Sequence, residues 1–227
     1  MKQFIKSLKL LKYGLQFKTM IILTIVFFAL GIIFEVTLYG GDMGILSGLY
    51  MVLAGVYIYQ LMLTPSVSKL VQTSSFRRKM QTIYPMILTE LTSLFSFTVF
   101  VIIRVARIEA RGGRYFDEGT LVSSKGILIT AVLAAILIIY DGICFKYYIA
   151  SFAVMFVALI IIAFRYAAGL STVFDFADSL SYAQLIGLSY GLLLVGGLIC
   201  WLISIFAYRM PIDNLSVRTA IRQAQSK

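Results

Sequence analysis

Histidine is missing from all 227 residues. Its absence excludes imidazole acid–base catalysis, Ser–His and Cys–His nucleophiles, and the usual zinc and haem ligand sets. Cysteine is nearly missing as well. Cys144 and Cys200 are the only two, each in or at the edge of an apolar run and outside any C-x-x-C spacing, so both read as packing residues. Charged residues make up 13% of the chain, and only 10 acidic side chains stand against 20 basic ones. No carboxylates pair at a catalytic spacing within one apolar run. The nearest approach to a phosphate-binding loop, Gly119 to Lys125, lacks the second glycine before the lysine. An enzyme, a metal centre or a bound cofactor is therefore not expected on this chain, and ATP has no site here by that route. Internal repeats, linkers and low-complexity tracts are also lacking.

What the chain has is apolar length. Hydrophobic residues form 60% of it and the mean hydropathy is +0.94, well above the half-apolar make-up of soluble domains. An all-α integral membrane protein follows, a single transmembrane domain over 1–227. The net charge of +10 does not point to nucleic acid, because no soluble basic domain exists to carry it; lysines and arginines beside apolar runs face lipid headgroups instead. Six runs are long enough to cross a bilayer as helices, near 19–39, 43–64, 83–103, 126–143, 147–164 and 183–207. Ala29-Leu30-Gly31 imitates a signal-cleavage site, but the apolar run continues to Leu38, longer than a signal h-region, so the first span is expected to be retained.

Lys and Arg set the orientation. With the N-terminus inside, Arg104, Arg107, Arg111, Arg114, Lys125 and Arg165 lie outside and the remaining fourteen of the 20 lie inside, so both termini are expected in the cytoplasm. The external loop 104–125 carries most of the outside charge, and the third helix is expected to run past the bilayer and stop at Gly112-Gly113. Ahead of the first span, Phe4, Ile5, Leu8, Leu11 and Leu15 recur at three- and four-residue steps opposite Lys2, Lys6 and Lys9. That pattern predicts an interfacial amphipathic helix over 1–18. Residues 165–182 are too short and acidic to span and read as an external or re-entrant segment. A basic tail occupies 209–227.

Three acidic residues fall in or close to the apolar runs. Glu90 lies in the third, with Thr89, Thr92, Ser93 and Ser96 around it at helical spacing, one broad polar face. A charge at the centre of a span costs about 2.5–3.5 kcal/mol on insertion scales, so Glu90 is expected to face protein or water. Either these residues line a transport path or they are interhelical hydrogen-bond glue. Glu35 and Asp141 lie near span ends, where they are expected to reach water or pair locally. Gly44-x-x-x-Gly48 and Gly187-x-x-x-Gly191 permit close helix approach, and Tyr50 and Tyr57 share a face.

Between the second and third runs stands a compact basic patch, Thr73-Ser74-Ser75-Phe76-Arg77-Arg78-Lys79. Its residues anchor the cytoplasmic side and touch lipid, but the segment 66–82 is longer than a turn. Val67, Leu70 and Val71 give it an apolar edge, and Ser74-Ser75 can cap a short helix beginning near Phe76. An amphipathic N-terminal helix, six spans and a Ser-Ser-x-Arg-Arg-Lys segment between spans two and three together resemble the ABC-2 type permease family. Where that family often has proline before the hydroxyl residue, this chain has Thr73-Ser74.

The resemblance implies a transmembrane subunit of an ATP-driven exporter in a bacterial cytoplasmic membrane. Segment 66–82 would be the coupling helix, Thr73 to Lys79 its contact with separate ATPase subunits that bind ATP and Mg, and a second permease subunit would complete the path. Peptides, drugs or lipids are the cargo of similar permeases. Two other classes fit the residues: a stand-alone ion- or proton-coupled carrier using Glu90, and a non-transporting immunity or assembly protein.

Overall fold

A computed structural model describes residues 11, 17–37, 43–66, 73, 77–110, 118–144, 157, 176 and 179–208. The described residues are helical throughout, with no strand among them: α1 (Phe17–Thr37), α2 (Met43–Ser66), α3 (Arg77–Gln81), α4 (Ile83–Ala110), α5 (Glu118–Cys144) and α6 (Tyr182–Ala207). Four of these segments are long and apolar enough to cross a membrane: Phe17–Thr37, Arg77–Arg107, Gly126–Cys144 and Tyr182–Ala207. The protein is a membrane protein. The expected runs at 43–64, 83–103, 126–143 and 183–207, and that at 19–39 as far as Thr37, fall on helices, whereas most of 147–164, most of 1–18, most of 165–182 and the tail lie outside the described residues.

Local chemistry sets the helix ends. Ser181 and Gln184 form a capping box at the start of α6: the Gln184 N–H donates to Ser181 Oγ at 3.3 Å and the Ser181 N–H donates to Gln184 Oε1 at 2.9 Å. Pro85 explains why α3 and α4 are two helices. Having no N–H, it cannot bond the Gln81 carbonyl four residues back, so the ladder breaks at Gln81–Thr82. Thr82 turns its hydroxyl onto the Arg78 carbonyl instead, at 2.8 Å.

The middle of the bundle belongs to α2, which packs on α1, α4 and α5, while α6 closes the other side against α5 and α4. Met51, Tyr59, Phe97, Phe100, Ile127, Leu137, Leu193 and Cys200 form the main core. A smaller cluster of Leu11, Leu61, Met62, Met80 and Tyr84 seals the end that carries α3. The apolar side chains left exposed, among them Ile25, Phe95, Ile102 and Phe206, are the faces offered to lipid, where exposure of hydrocarbon costs nothing.

Contacts also fix helix directions. Gly31 meets Met51 and Glu35 meets Ser47, so α1 and α2 are antiparallel. Phe97 and Thr98 meet Tyr190 and Glu90 meets Gly197, so α4 and α6 are antiparallel. Ala135 meets Gly196 and Gly142 meets Cys200, which makes α5 and α6 parallel. The aromatic face expected from Tyr50 and Tyr57 is real: Phe27 of α1 sits 5.7 Å from the Tyr50 ring centroid and 5.1 Å from that of Tyr57.

Candidate functional site

Three polar places interrupt this apolar bundle. The first is α3. Its single turn and a half buries Met80 and Gln81 against the ends of α2 and α4 and leaves Arg78 and Lys79 exposed. Arg77 is half-buried, its guanidinium 5.7 Å from the ring centroid of Tyr208 at the end of α6, a cation–π distance. Of the three basic residues of the patch, Arg77 is therefore turned onto the protein, while Arg78 and Lys79 are exposed. Thr73 is exposed; Ser74, Ser75 and Phe76 lie outside the described residues.

The second is the polar face of α4. Thr89, Ser93 and Ser96 are each about 1% exposed, and Ser93 Oγ lies where a side chain on Gly55 of α2 would be. The Glu90 carboxylate, with both oxygens buried, lies over Gly197 of α6 in the space a Cβ would fill. The predicted face is thus split. Ser93 turns toward α2, Glu90 turns toward α6, and Thr92 donates to the Leu88 carbonyl of its own helix at 2.8 Å. The hydroxyls of Thr89, Ser93 and Ser96 and both Glu90 oxygens have no hydrogen-bond partner. Glue that bonds nothing is a poor description of them.

The third place was not legible as a site. At the end opposite α3, Arg104 grips Glu35 with a bidentate fork, Nε to Oε1 and Nη2 to Oε2, both 2.8 Å. The two side chains are 3% and 1% exposed. Ser47 donates to Glu35 Oε2 from α2, the Arg104 guanidinium lies 4.4 Å from the Phe100 ring centroid, and its Nη1 occupies the space beside Gly126 of α5. Arg107, one turn on, donates to the Glu35 and Val36 carbonyls, which α1 leaves orphaned at its C-terminus. Four helices meet at this one clamp.

As expected, the third helix runs on past its apolar run, and the departure from a 104–125 loop lies at its far end. Arg104 to Ala110 completes α4, and Glu118 to Lys125 opens α5. Arg104 and Arg107 have protein acceptors, so the helix continues through them. A sequence signal existed: antiparallel alternation puts Glu35 and Arg104 at the same end of their helices, and opposite charges at one depth seek each other. Asp141 also departs from expectation. It is 0% exposed and both carboxylate oxygens lack a partner. Cys144 and Cys200 are buried free thiols, as their setting predicted. No group of His, Cys, Asp and Glu able to hold a metal ion occurs among the described residues. Neither protein-family models, nor curated proteins, nor solved structures give a match to this chain.

Proposed function

We propose that the chain is the permease subunit of an ATP-driven exporter of the ABC-2 type, with both termini in the cytoplasm of a bacterium and six spans. One observation carries the reading: α3 is a short helix braced on α2 and α4 through Met80, with Arg78 and Lys79 exposed. A push on such a helix is delivered to α2 and α4, and α2 touches α1 and α5 in turn. The parallel run of α5 and α6 supports an even number of spans. Between Cys144 and Tyr182 the chain regains the far end of the bundle, which the expected span 147–164 accomplishes.

In this reading ATP and Mg reside on separate ATPase subunits, a second permease subunit, identical or related, completes the path, and closure of the ATPases moves α3. Arg78 and Lys79 pair with acidic groups of the ATPase, while Arg77 holds α3 to α6 through Tyr208. Arg78→Glu with Lys79→Glu reverses the charge at the contact without touching the Met80 side. The doubly substituted chain is expected to insert and fold normally, to lose at least ten-fold of its ATPase copurification, and to lose transport. Undiminished transport by that variant rejects the assignment.

A second reading rests on Glu90. An ionisable group buried without a partner beside unpartnered hydroxyls is also what an ion- or proton-coupled carrier requires. Glu90→Gln separates the two: abolished proton-linked movement of solute in vesicles without ATP supports the carrier, whereas ATP-dependent transport that survives the change supports the permease.

A further inference from the structure

The chain treats its buried acids unequally. Glu35 is neutralised by the Arg104 fork and a Ser47 hydroxyl. Asp141 is more deeply buried, at 0% exposure, and receives nothing on either oxygen. Burying an ionised carboxylate in apolar surroundings without a counter-charge costs several kcal/mol even after relaxation, and the group avoids this by taking a proton.

The described elements packed on α5 bring these groups toward Asp141. From α2 comes the Tyr59 phenol, within electrostatic range of Asp141. The α6 helix brings the Cys200 thiol, also within range of Asp141, and beside it Ser204, 5% exposed. On α5 itself the Cys144 thiol is within range and donates to the Asp141 carbonyl at 3.3 Å. From α4 Glu90 is within range of Cys200, and it has the wrong sign. Among the described residues, neutral oxygen and sulfur groups surround the carboxyl, with no lysine or arginine beside it.

We infer that Asp141, with Tyr59 of α2 and Ser204 and Cys200 of α6, forms a proton-binding site at the end of the bundle that carries α3. The carboxylate takes one proton from water and becomes a neutral acid that the α2–α5–α6 junction accommodates. Release of the proton returns an anion that the dry junction does not tolerate. The contact it loads is a tight one: a Cβ on Gly142, the next residue, would come 3.0 Å from the Cys200 carbonyl oxygen and 3.1 Å from its sulfur. Water drawn in to solvate the anion therefore has to separate α5 from α6. Protonation locks that pair of helices and deprotonation loosens it, under either reading of the transport reaction.

Infrared spectroscopy of the full chain in phosphatidylcholine vesicles tests this. A carboxylic-acid C=O band is expected that disappears as pH rises and is missing from Asp141→Asn at every pH, while Glu90→Gln leaves it in place. The two buried thiols, assigned with Cys144→Ala and Cys200→Ala, supply a readout in the unaltered protein should Asp141→Asn not fold. Their S–H stretching bands are expected to shift with the same midpoint as the carboxyl band. A C=O band that persists at every pH at which the protein stays folded, or S–H bands that do not move with it, overturns the site and leaves Asp141 a permanently neutral packing residue.

Discussion

Arg104→Ala is expected to lower the unfolding free energy by about 3–5 kcal/mol, the usual cost of leaving one partner of a buried ion pair uncompensated. The magnitude follows from what remains. Glu35, 1% exposed, would keep the Ser47 donor alone, and its charge would face Phe100 and the emptied space beside Gly126. Removing both charges at once is a different experiment. Glu35→Leu with Arg104→Met roughly keeps the volume and spares the Arg107 caps on α1.

The double variant is therefore expected within about 2 kcal/mol of the parent, since buried pairs exchanged for apolar residues of similar size are often neutral. Reversible unfolding in mixed micelles measures both. A single variant within 1 kcal/mol of the parent, or a double variant no better than the single, would falsify the clamp as a structural lock. The pair also explains the unusual charge density after span three. Arg104 and Arg107 are the parts of α4 that fasten α1.

Helices were easy to read in this sequence because each apolar run of about twenty residues leaves no other way to satisfy the backbone in a bilayer. Their ends were harder. The start of α5 at Glu118 rather than near 126 follows a stretch in which Gly119, Ser123, Ser124 and Lys125 hide a helix behind polar composition. The break between α3 and α4 was legible in principle, since Pro85 prescribes it.

Side-chain partnering was legible only in part. Periodicity put Thr89, Thr92, Ser93 and Ser96 around Glu90 on one face, and Thr89, Ser93, Ser96 and the Glu90 oxygens are buried, but a helical wheel does not say which neighbour lies on which flank. That depends on crossings set by small residues, so Glu90 came to rest over Gly197 and Ser93 over Gly55. Thr92 fell out of the group because a mid-helix threonine has a competing acceptor one turn back. Asp141 misled for the same reason. Nearness to a helix end argues for water, yet α2 and α6 cover this end of α5.

The glycine motifs carry the other large prediction, and here the sequence signal and the geometry part company. Gly187-x-x-x-Gly191 matches the pattern for close helix approach, but a Cβ on either glycine meets nothing within 4 Å. Gly31 belongs to no such motif and is the tightest point of the α1–α2 contact. A Cβ there would come 2.5 Å from Met51 Cγ and 2.9 Å from both the Met51 nitrogen and the Ser47 carbonyl oxygen. The methionine side chain can rotate away; the two backbone atoms cannot.

Gly31→Ala must therefore push α1 off α2, and overpacking of this kind costs about 1–3 kcal/mol. The same displacement pulls Glu35, one turn further along α1, from the Arg104 fork, so the loss is expected at the top of that range or beyond it. Gly191→Ala makes the identical chemical change on an open face of α6, where the better helix propensity of alanine, worth about 1 kcal/mol, acts unopposed. Unfolding of the two variants side by side in mixed micelles should give shifts of opposite sign. Equal destabilisation by both would mean that glycine serves the backbone of each helix rather than the α1–α2 crossing. A Gly31→Ala protein as stable as its parent would mean that the two helices do not meet this closely.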